Sequence, residues 1–256
     1  MGPVRGVRAR PSGGRLSQES GAPFVVLERE ASPEALLSGA YRTSATHTAV
    51  ICKPTSPALV LGSTQSESSF DLARCRAAGL AVVRRRSGGG AVVVRPGAQV
   101  WVDFFVPRND PLFDDDVLAS FGFVGAIWMA AICDSFPSIS RSSVAVARGQ
   151  VEPTAWSATL CFGGLGAGEV SVGGRKVVGV SQRRDRNGAW FHSMALLELD
   201  PLELTSLLDR PAAERREAAA WLATFATALP SAALGRDDGA VLEQAIVSRV
   251  TGSRRP

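Results

Sequence analysis

Short apolar runs separated by turn-forming residues fill the middle of the chain, from Phe24 to Leu199. Runs of this kind, bounded by Gly, Pro, Asn or Ser, are typical of β-strands. The predicted strands cover residues 49–52, 58–62, 80–83, 91–94, 100–106, 169–172, 176–182 and 190–199. The pattern therefore predicts a fold rich in short strands.

Two stretches between these runs are hairpin signals. Gly173-Gly174 is a two-residue hairpin signal between 169–172 and 176–182. Pro96-Gly97 predicts a second hairpin, between 91–94 and 100–106. The run 80–83 is typical of a buried strand, and 100–106 of a strand near the centre of a sheet.

Helical spacing and capping residues predict helices between the strands. Ser32 followed by Pro33 predicts the start of a short helix. Further helices are predicted over residues 70–78, from the acidic residues 114–116 to about Cys133, and from Pro201 onward with a break at Arg210-Pro211. Because strands dominate and helices are interspersed irregularly, the pattern favours an α+β fold over a doubly wound one.

Composition narrows the class of protein. The chain has 256 residues, a net charge of +4 and a pI near 9.2, but Arg5, Arg8, Arg10 and Arg15 lie in a polar, glycine-rich start. We expect residues 1–22 to be a disordered basic tail, followed by a catalytic domain over 23–210 and a helical extension of it over 211–256. Without the tail the charge is close to neutral, which argues against nucleic-acid binding.

Membrane, secretion and zinc signals are absent from the sequence. No apolar run is long enough to span a membrane, and no apolar segment follows the basic start. The four cysteines, Cys52, Cys75, Cys133 and Cys161, form no C-x-x-C pair, and the chain has two histidines. We therefore expect a protein of the reducing cytoplasm without a structural zinc.

Two segments carry candidate chemistry. Only two of the 28 basic residues are lysine, and one of them, Lys176, lies in a glycine-framed apolar segment. An ammonium and a guanidinium are not interchangeable at a reacting centre. The second segment runs from Arg84 to Val94 and has three arginines before three glycines, whose backbone N–H groups can approach a phosphate. On composition alone, a flexible turn and an exposed strand lysine remain open alternatives.

The two segments together resemble a known family. Residues 84–92 resemble the R-R-x-S-G-G-G-A-V segment of lipoate–protein ligases, and 174–181 resemble their G-x-K-[IV]-x-G-x-[AS] segment. Residues 59–62 with Gln65 are similar to the V-V-I-G-x-x-Q strand of that family. His192 stands where the family has the second histidine of His-His-Gly. The resemblance covers roughly residues 24–210.

The resemblance implies the catalytic fold of biotin and lipoate ligases, a mixed and mostly antiparallel sheet with flanking helices. It implies that ATP and Mg²⁺ activate lipoate or octanoate as an acyl-adenylate. The acyl group then passes to a lysine of a lipoyl carrier domain, either a 2-oxoacid dehydrogenase E2 or a glycine-cleavage H-type protein. No nucleic acid or membrane partner is implied.

The resemblance also assigns roles to residues. Lys176 would lie between the acyl carboxylate and the phosphate, where a fixed cation stabilises the developing charge. The remaining residues assigned to binding the substrate or nucleotide are Arg85, Ser87, Gly88, Gly89, Gly90, Ala91, Val92, Gly179, Ser181 and His192.

Residues 93–98 depart from the ligase pattern. Where the ligases have His, Asp and Asn, this chain has Val93, Val94, Arg95, Pro96, Gly97 and Ala98. The departure weakens the expectation of Mg·ATP handling of the usual kind. Asp103 is the candidate metal carboxylate that would compensate for it.

A second resemblance involves Cys161. Cys161-Phe162, with Glu169 eight positions after the cysteine and Lys176 beyond, resembles the cysteine-dependent octanoyltransferases of the same fold. These enzymes use no ATP; their cysteine takes an octanoyl group from acyl carrier protein as a thioester. Their T-G-G-R-A-V segment has an arginine where this chain has Gly90, so the sequence favours the ligase. Two further alternatives remain open. Cys161 is also interpretable as a buried packing residue, as most free cysteines are. The chain as a whole is also interpretable as a non-catalytic family member that only binds the carrier.

Overall fold

The computed structural model describes residues 23–39, 45–230 and 237–252. The predicted tail, 1–22, lies outside the described residues. The strands are β1 Val25–Ala31, β2 Thr48–Pro54, β3 Ala58–Leu61, β4 Ala81–Arg84, β5 Val92–Val94, β6 Gln99–Pro107, β7 Val144–Val146, β8 Val170–Val172, β9 Arg175–Asp185 and β10 Gly188–Leu196. The helices are α1 Pro33–Leu37, α2 Leu72–Ala77, α3 Gly122–Ser135, α4 Pro201–Thr205, α5 Ala212–Phe225 and α6 Asp238–Thr251.

The strands form two sheets. The larger has seven strands in the order β1-β2-β6-β10-β9-β8-β7, antiparallel except for the parallel pair β1–β2. The smaller has the order β4-β3-β5, with β3 parallel to β4 and antiparallel to β5. This is the mixed, mostly antiparallel α+β architecture that the sequence predicted.

Local sequence accounts for several element boundaries. The Ser32 hydroxyl accepts a hydrogen bond from the amide of Ala35 at 3.3 Å, and Pro33 opens α1, as predicted. Gly173 and Gly174 have positive φ values of 57° and 79°, which the two-residue turn between β8 and β9 requires. The prediction of a hairpin at this point is confirmed.

Two predicted elements were wrong. The hairpin around Pro96-Gly97 does not form, because β5 pairs with β3 in the small sheet while β6 pairs with β2 and β10 in the large one. The chain turns there, with Gly97 at φ 78°, but crosses from one sheet to the other. The helix expected from 114–116 begins only at Gly122. Asp116 instead accepts hydrogen bonds from the amides of Leu118 and Ala119 in the preceding turn.

Apolar side chains cover both faces of the large sheet. On β6, Val102 and Phe104 pack toward α3 and α6, while Trp101 and Phe105 point to the opposite face, toward the small sheet. Strand β6 is therefore buried on both faces, as expected near a sheet centre. Strand β4 lies at the edge of the small sheet and is half-exposed, contrary to the buried strand predicted there.

The C-terminal helices pack on the rest of the fold. Helix α6 packs against α3, and the end of α5 attaches to β9, where Thr227 donates from its amide to the Lys176 carbonyl oxygen at 2.9 Å. Trp221 Nε1 of α5 donates to the Gly163 carbonyl oxygen at 3.1 Å. The predicted division into a catalytic domain over 23–210 and a helical extension over 211–256 stays a prediction. Across the described ranges, the model has no helix with the length and apolar character of a membrane span.

Candidate active site

Two neighbouring cavities lie between the large and small sheets. The outer cavity has a volume of about 270 Å³ and the inner cavity about 30 Å³. Among the residues assigned from sequence, the outer cavity is lined by Arg85, Gly88, Gly89, Gly90, Cys161, Lys176 and Ser181. The inner cavity is lined by Arg85, Val92, Cys161, Gly179, Ser181 and His192. The structure thus brings most of the predicted residues together.

Three assigned residues lie behind the cavity walls. The Ser87 hydroxyl is buried and hydrogen-bonds the Ser181 hydroxyl at 2.8 Å. Ala91 is buried, and its amide donates to the Thr159 carbonyl oxygen at 2.9 Å, which ties the glycine segment to the segment before Cys161. Asp103 is buried beneath His192.

Arg85 shapes the loop of three glycines from within. Its guanidinium is buried and donates from Nη2 to the carbonyl oxygens of Gly88 and Gly90, at 2.8 and 2.9 Å. Burial lowers the pKa of Arg85, and the neighbouring Cys161 and Glu169 oppose that shift. Its flanking residues Arg84 and Arg86 are exposed.

The loop itself requires glycine at two contacts. A Cβ on Gly90 would lie 2.4 Å from the carbonyl carbon of Leu160, and a Cβ on Gly62 would lie 1.9 Å from the Gly89 carbonyl oxygen. No acceptor for the amides of Gly88, Gly89 and Gly90 is found among the described residues. The loop therefore presents backbone donors beside the outer cavity.

Lys176 is fully buried, and all three N–H donors of its ammonium are used. Nζ donates to the carbonyl oxygens of Cys161 at 2.6 Å and Gly164 at 2.8 Å, and pairs with Glu169 Oε2 at 2.6 Å. An ammonium has three N–H donors, so this set uses all of them. Burial raises the pKa of the Glu169 carboxyl, and the Lys176 charge and the amides of Gly166 and Val180 oppose that rise.

Cys161 is fixed through its backbone while its sulfur faces the site. Its amide donates to the Ala91 carbonyl oxygen at 2.9 Å, and its own carbonyl oxygen accepts from Lys176. Its Sγ lies 3.3 Å from where a Cβ on Gly179 would stand, so Gly179 leaves room for the sulfur. Cys161 lines both cavities and is half-buried.

His192 and Asp103 form a buried pair under the inner cavity. Asp103 Oδ2 lies 2.8 Å from His192 Nδ1, and Asp103 Oδ1 accepts from Trp101 Nε1 at 2.7 Å. Both carboxylate oxygens thus have protein partners. No group of three or more His, Cys, Asp or Glu side chains suited to a metal occurs among the described residues. This arrangement does not favour a metal ion at Asp103.

Two supporting residues, Gln65 and Glu169, were part of the sequence motifs but were given no role there. Gln65 accepts from the Gly62 amide at 2.9 Å and donates to the Thr159 carbonyl oxygen at 3.0 Å, so it links the small sheet to the Cys161 segment. Glu169, noted only for its spacing, is the counter-ion of Lys176. For Gln65, the signal available in the sequence was its position three residues after Gly62. For Glu169, the signal was a carboxylate between glycines in an apolar segment.

The arrangement defines a class of protein, the lipoate ligase type of catalytic domain. Among solved structures, the chain is similar to a bi-partite lipoate protein ligase described with its E2 lipoyl domain from Thermoplasma acidophilum, with a TM-score of 0.61, 16% identity, and coverage of 91% of this chain and 85% of that one. It is also similar to a lipoate-protein ligase A bound with ATP, with a TM-score of 0.53, 15% identity, and coverage of 88% and 94%.

A third similar structure is Ta0514 of T. acidophilum, a putative lipoate protein ligase with bound lipoic acid (TM-score 0.53, 13% identity, coverage of 92% of this chain and 100% of that one). A comparison with curated protein sequences found no significant match. Residues 27–228 match the family model of the lipoyl protein ligase A/B catalytic domain. The chain belongs to this family, as its motifs predicted.

Proposed function

We propose that this protein transfers an octanoyl or lipoyl group to a lysine of a lipoyl carrier domain, with Cys161 holding the acyl group as a thioester. The observation that carries the proposal is the position of the Cys161 sulfur, at the junction of the two cavities. Its backbone is held on both sides, by Ala91 and by Lys176, so that the sulfur is the free part of the residue.

The saturation of Lys176 supports the cysteine route over the adenylate route. Adenylation needs a cation that bridges the acyl carboxylate and the α-phosphate. The Lys176 ammonium already donates to Cys161, Gly164 and Glu169 and is buried. In this arrangement Lys176 serves to hold the Cys161 segment, and a bridging role would require breaking those bonds.

The proposed reaction has two steps. The Cys161 thiolate attacks the thioester carbonyl of an acylated acyl carrier protein, a C–S bond forms, and the donor thiol leaves with a proton. The carrier lysine amine then attacks the enzyme thioester, the C–N bond forms, and the Cys161 sulfur leaves and regains a proton. The exposed arginines near the glycine loop suit an acidic partner, because opposite charges steer association.

A second candidate is the ATP-dependent ligase that the sequence favoured. The unpaired amides of Gly88, Gly89 and Gly90 beside a cavity of about 270 Å³ favour it, because such donors can hold a nucleotide phosphate. In that route Mg²⁺ would be bound largely by phosphate oxygens and water, since the described residues offer no cluster of metal ligands.

One experiment separates the candidates. A lipoyl domain is incubated with the protein and octanoyl-loaded acyl carrier protein without ATP, and separately with lipoate plus ATP, and intact masses are measured. We expect acylation in the first reaction and an octanoyl adduct on the protein. Cys161→Ser should abolish both, while Cys133→Ser, a half-buried cysteine of α3, should change neither.

Acylation only in the second reaction, unaffected by Cys161→Ser, would establish the ligase. Acylation in neither reaction, with the lipoyl domain still bound, would favour the non-catalytic interpretation. Calorimetry with ATP and lipoate checks that outcome, because a protein that only binds the carrier gives no ATP-dependent heat.

A further inference from the structure

The His192 ring is held in a defined orientation at the floor of the inner cavity. His192 on β10 lies directly opposite Asp103 on β6, and their side chains approach to 2.8 Å through Nδ1 and Oδ2. Trp101 Nε1 holds the other Asp103 oxygen at 2.7 Å. A carboxylate accepts hydrogen bonds only, so Nδ1 carries the proton in the neutral ring and Nε2 carries the lone pair.

The second ring nitrogen is free. His192 is 5% exposed, and Nε2 is buried without a hydrogen-bond partner among the described residues. A buried polar atom is normally paired, and an exception calls for an explanation such as a catalytic role. The neighbouring inner cavity, of about 30 Å³, exceeds the ~10–15 Å³ that one water needs.

Cys161 and His192 meet at this cavity. The Cys161 sulfur lies over Gly179, which pairs with Met194, and Ser181, two residues further along the same strand, pairs with His192. All of these residues line the inner cavity. Cys161 and His192 therefore border the same small cavity, from neighbouring positions on β9 and β10.

Charged side chains also lie beside this space. Arg85 lines the same cavity, and Asp103 contacts the His192 ring from the side away from the cavity through Nδ1. Lys176 cannot accept a proton in this arrangement, because its ammonium donates to three acceptors and has no lone pair. His192 Nε2, by contrast, has no hydrogen-bond partner among the described residues and belongs to a residue that borders the same cavity as Cys161.

We propose that His192, oriented by Asp103, is the proton acceptor for the Cys161 thiol. The S–H proton passes to Nε2, directly or through one water, and leaves the thiolate that attacks the acyl donor. The resulting imidazolium returns the proton to the leaving thiol, and the same cycle serves the incoming lysine amine. His192 is then a catalytic residue and Asp103 a positioning residue. The inference rests on the proposed role of Cys161.

The test measures thiol reactivity without any acyl substrate. The protein is treated with iodoacetamide at pH 7, and alkylation is followed by peptide mass spectrometry at Cys161 and at Cys133 as an internal control. His192→Asn is the main variant, because its amide can keep the hydrogen bond to Asp103 while it removes Nε2. An ordinary thiol is only a few per cent thiolate at this pH, so we expect alkylation of Cys161 to fall at least ~10-fold.

Asp103→Asn should also slow alkylation at Cys161, whereas Cys133 should react at the parent rate in every variant. A thermal melt checks folding, and His192→Gln serves as the second variant if His192→Asn is unfolded. Alkylation of Cys161 within twofold of the parent in a folded His192 variant overturns the inference.

The two proposals fail separately. His192-dependent alkylation without acyl transfer to a lipoyl domain would support the inference and remove the proposed function. Acyl transfer through Cys161, with an alkylation rate that does not depend on His192, would support the proposed function and remove the inference.

Discussion

The Lys176 ammonium donates a hydrogen bond to the backbone carbonyl oxygen of Cys161 at 2.6 Å, and so joins the two residues that the family motifs single out. The bond reaches from β9 to the short turn Cys161–Gly163. Because Glu169 holds the same ammonium, the turn, the ion pair and the strand form one buried unit. Changes at Lys176 should therefore alter both the chemistry and the geometry of Cys161.

The first prediction concerns Lys176. Lys176→Ala should lower acyl transfer by at least ~100-fold, because the Cys161 segment loses the group that holds it and a misplacement of about 1 Å at a reacting atom can cost that much. Lys176→Arg should not restore it, because the planar guanidinium does not fit a buried position with three converging acceptors. Rates of lipoyl-domain acylation measure both.

A double variant distinguishes the effect of losing the Lys176 charge from the effect of losing folding stability. Lys176→Met leaves Glu169 buried without its counter-ion and should cost about 3–5 kcal/mol. Adding Glu169→Gln removes that uncompensated charge, so the double variant should regain part of the stability in denaturant unfolding and none of the activity. Near-parent activity in the double variant would exclude Lys176 from the mechanism.

The second prediction compares two neighbouring glycines. A Cβ on Gly90 would stand 2.4 Å from the carbonyl carbon of Leu160 and 2.7 Å from the Cys161 amide nitrogen, both backbone atoms, whereas a Cβ on Gly88 would meet nothing within 4 Å. Gly90→Ala should therefore displace the Cys161 segment, lower stability by about 1–3 kcal/mol and remove most acyl transfer. Gly88→Ala should leave stability and transfer close to the parent. Equal effects of the two would contradict this account of the loop.

Local sequence predicted most of the elements but, apart from the hairpin of β8 and β9, not which strands pair. Short apolar runs identified β2, β6 and β10, and Gly173-Gly174 identified the turn between β8 and β9, because these signals are local. The turn at Pro96-Gly97 was located correctly, yet its two strands belong to different sheets. A turn signal specifies a change of direction, while the partner of each strand is decided by tertiary packing.

The motifs located the site, but its internal bonds lie beyond sequence reasoning. The partners Asp103 and His192 are 89 residues apart, and no local pattern joins them. Arg85 was expected to contact phosphate, which stays a prediction, and the structure adds its bonds to the loop carbonyls of Gly88 and Gly90. Such bonds depend on which side chains become buried, which single-sequence patterns do not specify.

The third prediction concerns Arg85. Its planar guanidinium reaches two carbonyl oxygens at once, and a lysine at this position cannot reproduce that geometry. Arg85→Lys should lower the free energy of unfolding by about 1.5–3 kcal/mol, the range for a lost hydrogen bond from a charged group. The exposed neighbour Arg86 provides the matched control, and Arg86→Lys should stay within about 0.5 kcal/mol of the parent. Equal losses would mean that Arg85 does not hold the loop.

The last prediction tests whether the space beside Cys161 holds the acyl group. A Cβ on Gly179 would stand 3.3 Å from the Cys161 sulfur and 3.4 Å from Cζ of Phe162, close enough to crowd a thioester without disrupting the strand. Gly179→Ala should slow formation of the octanoyl adduct about tenfold, with a stability change below about 1.5 kcal/mol.

Gly122→Ala is the matched control for the same substitution. A Cβ there meets nothing within 4 Å, and Gly122 opens α3, so adduct formation should be unchanged. A Gly179→Ala protein that acquires the octanoyl group at the parent rate would place the acyl chain elsewhere. The outer cavity, bounded by the glycine loop, would then be where the chain lies, because it is the larger space that the Cys161 sulfur also faces.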